Sequence, residues 1–367
     1  MRFTISRDSL ITPLQLVCNA VERRQTLPVL SNILVVLEDQ ELSLTATDLE
    51  VELVANLSIP DAGESGQITV PARKLLDICR SLPSKDIGFI LENQKVTIKC
   101  GPNKFTLSTI AASEFPSVDE TVGTHTMDIN QSSLKSLMER TAFAMAQQDV
   151  RYYLNGMLFE IDNNSLKSVS TDGHRLALAE LSTNLETESK SEAIIPRKGI
   201  TELLRLLDDS DEDVSMTLGT NHLRIVTSGF TFTSKLIDGK FPDYDHVLPK
   251  NGDKSLQANR EELRDAFARA AILCNEKYRG IRMNLSENHL TIHANNPEQE
   301  EAVIDLAVTY SGEELEIGFN VSYILDVLNT LKTEDVNWTL GDSNSSALIE
   351  GVSDDIASLY VVMPMRL

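Results

Sequence analysis

The chain is expected to be an α+β protein of three tandem homologous domains, each with two helices and about eight mostly antiparallel strands, and three observations point there. The first is an internal repeat at a spacing of 124 residues. Ile33-Leu34-Val35-Val36-Leu37, four polar residues and the run Leu42 to Asp48 recur as Met157-Leu158-Phe159-Glu160-Ile161 with Leu166 to Asp172. They recur again as Ile281-Arg282-Met283-Asn284-Leu285 with Leu290 to Asn296. Each copy reads as two period-2 apolar runs around a polar turn, the pattern of a β-hairpin. The second observation is an amphipathic helix ahead of each hairpin and another, entered from a short strand, behind it. The third is a closing dipeptide, Phe115-Pro116, Phe241-Pro242 and Met363-Pro364. The period far exceeds that of solenoid repeats, so the copies are whole domains, with boundaries expected at 1–124, 125–252 and 253–367.

Taken in order, the first helix of each domain shows apolar residues at helical spacing. These are Leu10, Leu14, Val17 and Val21 behind Ser9, then Leu134, Leu137, Met138 and Thr141 behind Ser132 and Ser133. In the third domain they are Leu263, Phe267, Ala270 and Ala271 behind Asn259. The second helices follow Val70-Pro71-Ala72, Ile195-Pro196-Arg197 and Phe319-Asn320-Val321, with Pro71 and Pro196 where a first turn tolerates proline. The six helices are therefore expected over 7–24, 73–82, 131–147, 197–207, 259–274 and 321–332. Three short strands come after each second helix, and polar linkers are expected near 117–127 and 243–255. Helices feeding antiparallel neighbours make the class α+β rather than doubly wound. If such units curve, their helices share the concave side.

Composition narrows the function classes. A net charge of −22 opposes a nucleic-acid partner at first sight. The charge is segregated, however: the six expected helices hold 15 Lys and Arg against 9 Asp and Glu, an excess of +6 that leaves −28 for the rest. Three homologous domains presenting one mildly basic layer suit a polyanion passing along the helices, held by loose, sequence-blind phosphate contacts. No aromatic-interleaved basic motif supports base readout. Cys18, Cys79, Cys100 and Cys274 form no Cys-x-x-Cys pair and read as reduced, buried thiols of a cytoplasmic protein. The opening residues alternate instead of forming the apolar run of a signal peptide. No apolar stretch reaches the length of a membrane span, so no membrane partner is expected.

Several motifs invite chemical readings. Thr171-Asp172-Gly173-His174 sets an acid and an imidazole two residues apart, on one face of a strand. No Ser or Cys in a nucleophile elbow accompanies them, and the other repeats read Thr47-Asp48-Leu49-Glu50 and Asn295-Asn296-Pro297-Glu298. A surface specialised in one domain is the expectation; an enzyme of nucleotide or phosphate metabolism using Asp172 and His174 is the rival, and a repeat protein that binds only proteins is a third reading. His289 and His293 fall on a strand, where four residues span about 13 Å, so no metal site is expected. The acidic run Asp208 to Asp213 lacks the glycine of a calcium loop. No cofactor is expected. The final residues, Tyr360 to Leu367, read as a last strand running into an adaptable hydrophobic surface.

One family unites these features. Thr26-Leu27-Pro28-Val29-Leu30, Val70-Pro71-Ala72-Arg73-Lys74, Tyr152-Tyr153-Leu154-Asn155-Gly156, Thr171 to Leu176, Phe241-Pro242-Asp243-Tyr244, Asn295 to Glu300 and Val362 to Leu367 together resemble the bacterial DNA sliding clamps, the β subunits of DNA polymerase III. The resemblance covers the whole chain. It implies a non-catalytic processivity factor: a ring-forming, head-to-tail homodimer around double-stranded DNA that slides without sequence preference. Implied partners are the replicative DNA polymerase, the clamp loader complex, translesion polymerases and mismatch-repair proteins, which dock short hydrophobic motifs.

By that resemblance the partner-peptide pocket comprises Leu154, Thr171, Gly173, His174, Arg175, Leu176, Pro242, His246, Val247, Ser346, Val361, Val362, Met363, Pro364, Met365 and Arg366. His246 stands where the family often has a basic residue, so an imidazole replaces a constant positive charge at the rim. Expected DNA contacts are Arg24, Arg73, Gln148, Tyr152, Tyr153 and Arg197. The dimer seam is expected to pair the edge strand of Phe105 and Leu107 with the region of Ile272 and Leu273, flanked by Lys74 and Glu298.

Overall fold

The computed structural model describes residues 1–21, 27–59, 62–116, 123–162, 164–183, 190–250 and 252–366. The first repeat runs β1 (Arg2–Ser6), α1 (Arg7–Ala20), β2 (Asn32–Glu38), β3 (Glu41–Thr47), β4 (Val51–Ser58), β5 (Ala62–Glu64), β6 (Gly66–Pro71), α2 (Ala72–Ser81), β7 (Asp86–Glu92), β8 (Lys95–Cys100) and β9 (Asn103–Ser108). The second runs β10 (Gly123–Asn130), α3 (Gln131–Glu139), β11 (Gly156–Asp162), β12 (Ser165–Thr171), β13 (Arg175–Ser182), β14 (Ser191–Pro196), α4 (Arg197–Leu206), β15 (Asp213–Gly219), β16 (His222–Val226) and β17 (Thr231–Lys235). The third runs β18 (Lys254–Asn259), α5 (Arg260–Ala270), β19 (Gly280–Ser286), β20 (His289–Asn295), β21 (Glu301–Ala307), β22 (Thr309–Ser311), β23 (Leu315–Asn320), α6 (Val321–Thr330), β24 (Asp335–Leu340), β25 (Ala347–Gly351) and β26 (Ala357–Val362). The strand pairings among the described residues are antiparallel. The three expected hairpins are β2–β3, β11–β12 and β19–β20, each turned by a residue with positive φ, Asp39, Asn164 and Asn288, types that tolerate the left-handed region.

The chain folds as two compact units. One consists of Met1–Ser132 and Thr201–Leu236, the other of Ser133–Ile200 and Ile237–Leu367. The first contains a five-stranded sheet in the order β5-β1-β7-β8-β9 and an eight-stranded sheet in the order β10-β15-β16-β17-β4-β3-β2-β6. Helix α1 packs on α2 and on β3 and β4, and Leu10, Leu14 and Val17 are buried, as are Leu75 and Leu76 of α2. The second unit holds a nine-stranded sheet, β14-β11-β12-β13-β26-β25-β24-β18-β22, and a four-stranded one, β21-β20-β19-β23. There α5 packs on α6, and Trp338 lies between Phe267, stacked at 6.1 Å, and Phe319, edge-on at 6.3 Å.

Helix ends differ from expectation where side chains have partners distant in sequence. Helix α1 is capped by Ser6, whose hydroxyl accepts the Ser9 N–H at 3.1 Å, and stops at Ala20 with Val21 extended; the rest of the expected helix falls mostly outside the described residues. Helix α3 ends at Glu139, not at 147. Arg140 turns inward to a buried ion pair with Asp354 and donates to Ser358 at 3.2 Å, while Thr141 leaves helical geometry and donates to Ser168 at 3.0 Å. Helix α5 gives way at Ala271 to a 3-10 turn, and α6 stops at Thr330. Within these bounds the helices carry 11 Lys and Arg against 8 Asp and Glu, an excess of +3, while Glu22, Arg23 and Arg24 of the expected first helix lie outside the described residues. The excess resides on α2 and α4, each with three basic residues against one acidic.

All four cysteines are free and buried, and burial pushes the Cys18 and Cys79 thiols up to about 12. Among the described residues no helix is long and apolar enough to cross a membrane, and no group of three or more His, Cys, Asp or Glu could hold a metal ion.

Candidate partner-binding site

Neighbouring repeats are joined by strand pairing, and the same joint is made twice. In the first unit β4 pairs with β17, setting Leu53 opposite Phe232. In the second unit β13 pairs with β26, setting Ala177 opposite Tyr360. Successive residues of a strand face opposite sides, so these pairs lie on one face of each sheet and their neighbours lie on the other. On that other face the first joint presents Glu52 opposite Thr233; the second presents Leu176 opposite Val361, with Leu178 opposite Leu359 beside them. Glu52 and Leu176 are equivalent under the 124-residue repeat. The outward face of the first joint is thus mostly polar, Val54 opposite Thr231 included, whereas the second joint is apolar on both faces.

An apolar sheet face has to be covered. The segment after β17 does so in part, burying Phe241 and Tyr244 with Leu158, Val169, Leu176, Leu178, Ile194 and Val361 in one cluster; Tyr153, Val247, Leu248 and Leu348 pack at its edge. Pro242 and His246 are exposed above it, and Val247 is half-buried.

The apolar cluster continues from Leu176 into the turn between β12 and β13. Thr171 Oγ1 donates to the Arg175 carbonyl at 2.6 Å, and Asp172 Oδ1 accepts the N–H groups of His174 at 2.9 Å and Arg175 at 3.1 Å. Thr47 and Asp48 make the same turn in the first repeat. The Asp172 carboxylate is thus bound to backbone, and the His174 ring stacks instead on Tyr323, 6.3 Å away. The acid–imidazole hydrogen bond of the enzyme reading is not made.

Gly173 has φ +89°, and a Cβ there would come within 3.0 Å of the Arg151 guanidinium. Arg151 is itself clamped on Asp149 at 2.9 and 3.0 Å, and this contact holds the Asp149 carboxyl down at about 2. Arg175 is fully engaged: its guanidinium binds Asp172, Asp326 and the Phe143 carbonyl, and lies 4.5 Å from the Tyr323 ring centroid and 5.1 Å from that of Phe143. It works as a strut between β13 and α6.

Beyond β26 the tail follows this turn. The Met363 N–H donates to the His174 carbonyl at 2.9 Å, leaving the Met363 side chain exposed, and the Met365 N–H donates to the Gly318 carbonyl at 2.8 Å. Thr171, Gly173 and His174 thus lie in the turn that leads into β13, Leu176, Val361 and Val247 share the apolar cluster, and Met363 is tied by its backbone to His174, with Pro242 and His246 on the covering segment. Ser346 and Pro364 are half-buried beside β25 and within the tail. Four expected residues are placed differently. Val362 faces the opposite side of the sheet and belongs to the core with Ala347 and Tyr360. Met365 and Arg366 line a separate hollow of about 480 Å³ with Asn275, Tyr278 and Pro297. Leu154 is fully buried. Phe241, Tyr244, Leu178 and Leu359 are absent from the sequence expectation, although aligning Glu52 with Leu176 marks the outward face of β13 that also carries Leu178.

Of the expected DNA contacts, Arg24 lies outside the described residues. Arg73 is exposed in the first turn of α2. Gln148 and Tyr152 are exposed on one loop, where Tyr152 meets Tyr153 edge-on at 5.8 Å. Arg197 is half-buried next to that loop: its N–H donates to the Asn155 carbonyl and its guanidinium to the Met145 carbonyl at 2.9 Å. At the expected seam, Phe105 and Leu107 are half-buried on the edge strand β9, Lys74 and Glu298 are exposed, and Leu273 is half-buried beside Ile272, which is 76% exposed.

Sequence comparison agrees with this architecture. The N-terminal, central and C-terminal domain families of the DNA polymerase III β subunit match residues 1–119, 128–243 and 245–366. The chain is 59% identical to the beta sliding clamp of Pseudomonas putida and 52% identical to that of Escherichia coli K12, over the full length of each protein. It belongs to the bacterial β sliding-clamp family. The clamp superimposes with a TM-score of 0.98 on the crystal structure of the Pseudomonas aeruginosa β subunit, 58% identical with both chains fully covered. A second P. aeruginosa structure, bound to griselimycin, gives 0.96 at 58% identity, again over both whole chains. As a β sliding clamp the protein is a processivity factor of DNA polymerase III and acts in DNA replication.

Proposed function

We propose that two copies of this clamp close head to tail into a ring around duplex DNA, with domains at 1–124, 125–252 and 253–367. One observation carries the reading: the joint made by β4 with β17 and by β13 with β26 has a third set of halves, β21 and β9, and both stand at sheet edges. An exposed edge is a template for pairing with another chain. Glu301 is placed opposite Asn295 as Leu176 is opposite Thr171, and Phe105 opposite Ile98 as Phe232 is opposite Ile225. Carrying the register over sets Phe105 opposite Ala302 and Thr106 opposite Glu301 of the other copy. Lys99 and Lys104 face each other on β8 and β9, an unfavourable like-charge pair that Glu298, Glu300, Glu301 and Asp305 would relieve. Such a heterologous contact closes when its rotation closes.

The outward face of that third joint would be polar, so each copy offers one apolar cleft. Short hydrophobic motifs of the replicative polymerase, the clamp loader, translesion polymerases and mismatch-repair proteins would dock there. The griselimycin-bound relative supports a peptide-binding role for the family. Within the cleft Thr171, Gly173, His174, Leu176, Pro242, His246, Val247, Val361 and Met363 form the contact surface. The clamp performs no catalysis of its own and works in the cytoplasm.

DNA would run past the basic residues of α2 and α4, including Arg73 and Arg197, and past Arg24, Gln148, Tyr152 and Tyr153. With so small a basic excess, free clamp should bind short duplexes weakly, with no preference for sequence and with affinity falling steeply as salt rises. Electrophoretic titrations on duplexes of different sequence check this, and a preferred sequence would contradict it. The ring itself is tested by loading the clamp on nicked circular DNA and then linearising it. Retention on circles through a high-salt wash, with release on cutting, is expected; equal loss from circles and linear DNA would sink the proposal.

A further inference from the structure

Glu160 is a carboxylate only 3% exposed in the interior of β11, on the same sheet face as Leu158 and therefore on the cleft side. Burying a carboxylate is costly without partners, and this one has three. The Tyr244 hydroxyl donates to it at 2.7 Å, and the ammonium groups of Lys190 and Lys167 lie at 2.9 and 3.7 Å. The fold does not need this arrangement, because the equivalent positions in the other repeats are Val36 and Asn284. Tyr244 is equally particular to the middle repeat: two residues after the shared Phe-Pro or Met-Pro dipeptide, the other repeats have Val118 and Arg366. Both partners thus occur only in the repeat whose outward face carries the covering segment.

Tyr244 opens the 3-10 turn that carries His246, and its carbonyl accepts the Val247 N–H at 3.0 Å. We infer that the Glu160–Tyr244 hydrogen bond is a positioning tether, fixing the turn that bears His246 and Val247 so that an incoming peptide meets a preformed wall. The inference rests on the reading of the cleft as the peptide site. Burial and the neighbouring carboxylate both push the Tyr244 hydroxyl above its ordinary range, so it stays a donor. Without the tether, the turn would spend only part of its time in the binding-competent position, and apparent affinity falls in proportion to that fraction. A hydrogen bond to a buried charge is of a size that makes a change of about ten-fold.

The test uses the full-length clamp with griselimycin as probe, followed by surface plasmon resonance. Tyr244→Phe keeps the buried ring and removes the hydroxyl. Its association rate constant should fall about ten-fold while dissociation stays within about two-fold of wild type, the signature of a depleted competent state. Glu160→Gln keeps an acceptor and should bind as wild type; Glu160→Ala should reproduce Tyr244→Phe, and the double variant should add nothing. Unchanged association in Tyr244→Phe, with or without a lower Tm, overturns the tether, as does an effect confined to dissociation. Leu176→Ala separates the two readings. If it weakens griselimycin binding and Tyr244→Phe does not, the tether alone fails; if neither variant alters binding, the peptide-site reading fails with it.

Discussion

A clamp ending at Val362 should fold, dimerise and stay on circular DNA, yet lose its affinity for partner peptides by on the order of 100-fold or more, as expected when a central apolar anchor is removed. The division follows from where β26 stops. Val362 is the last residue of the strand and is fully buried on the helix-facing side of the sheet, so the cut leaves the core closed. Beyond it, the tail is tied to the body by the backbone bonds of Met363 to His174 and of Met365 to Gly318, and it presents an exposed Met363 two residues past Val361. An unbranched thioether packs against varied partners at modest entropic cost, so its loss should weaken dissimilar peptides together. Fluorescence anisotropy with a labelled polymerase peptide, alongside retention on nicked circles, checks both halves. Unchanged peptide affinity would mean that the tail is no part of the site.

Replacing Ile272 and Leu273 together by Ala should yield folded monomers at concentrations where the wild type is dimeric. Ile272 projects from the 3-10 turn after α5 with three quarters of its surface in water, so truncating it removes little from the core of a single chain. If the seam buries it, each truncation costs about 2–5 kcal/mol. Two truncations then raise the dimer dissociation constant by roughly three orders of magnitude or more. A head-to-tail ring of two copies would have two identical seams, so both would weaken at once. Sedimentation velocity across a dilution series reads the outcome; a dimer persisting at nanomolar concentration would show that the seam lies elsewhere.

The three hairpins were legible because a single pattern, period-2 apolar runs around an Asp- or Asn-containing turn, occurs three times in register. Helix ends were not legible where a side chain finds its partner far away. Nothing local stops α3 at Glu139; Arg140 leaves the helix for Asp354, more than 200 residues on. Arg140 and Lys332 likewise fall beyond the ends of α3 and α6 and outside the basic helical layer. Within the cleft, Thr171 to Leu176 and Val361 were readable, whereas placing Val362 required only the alternation of a strand. The Glu160–Tyr244 contact joins residues 84 apart in no motif, and only the fold brings them together.

The asymmetry between Glu52 and Leu176 has a consequence for traffic on the DNA. Six inter-domain joints would close the proposed ring, and only the two equivalent to β13–β26 would be apolar outside, so such a ring would offer two seats to its clients. Clients must then queue rather than assemble side by side in larger numbers. A client whose linker spans the two seats would face the second at an effective concentration far above that of molecules in solution. Hand-over between a stalled occupant and its replacement becomes a local exchange, governed by how quickly each lets go.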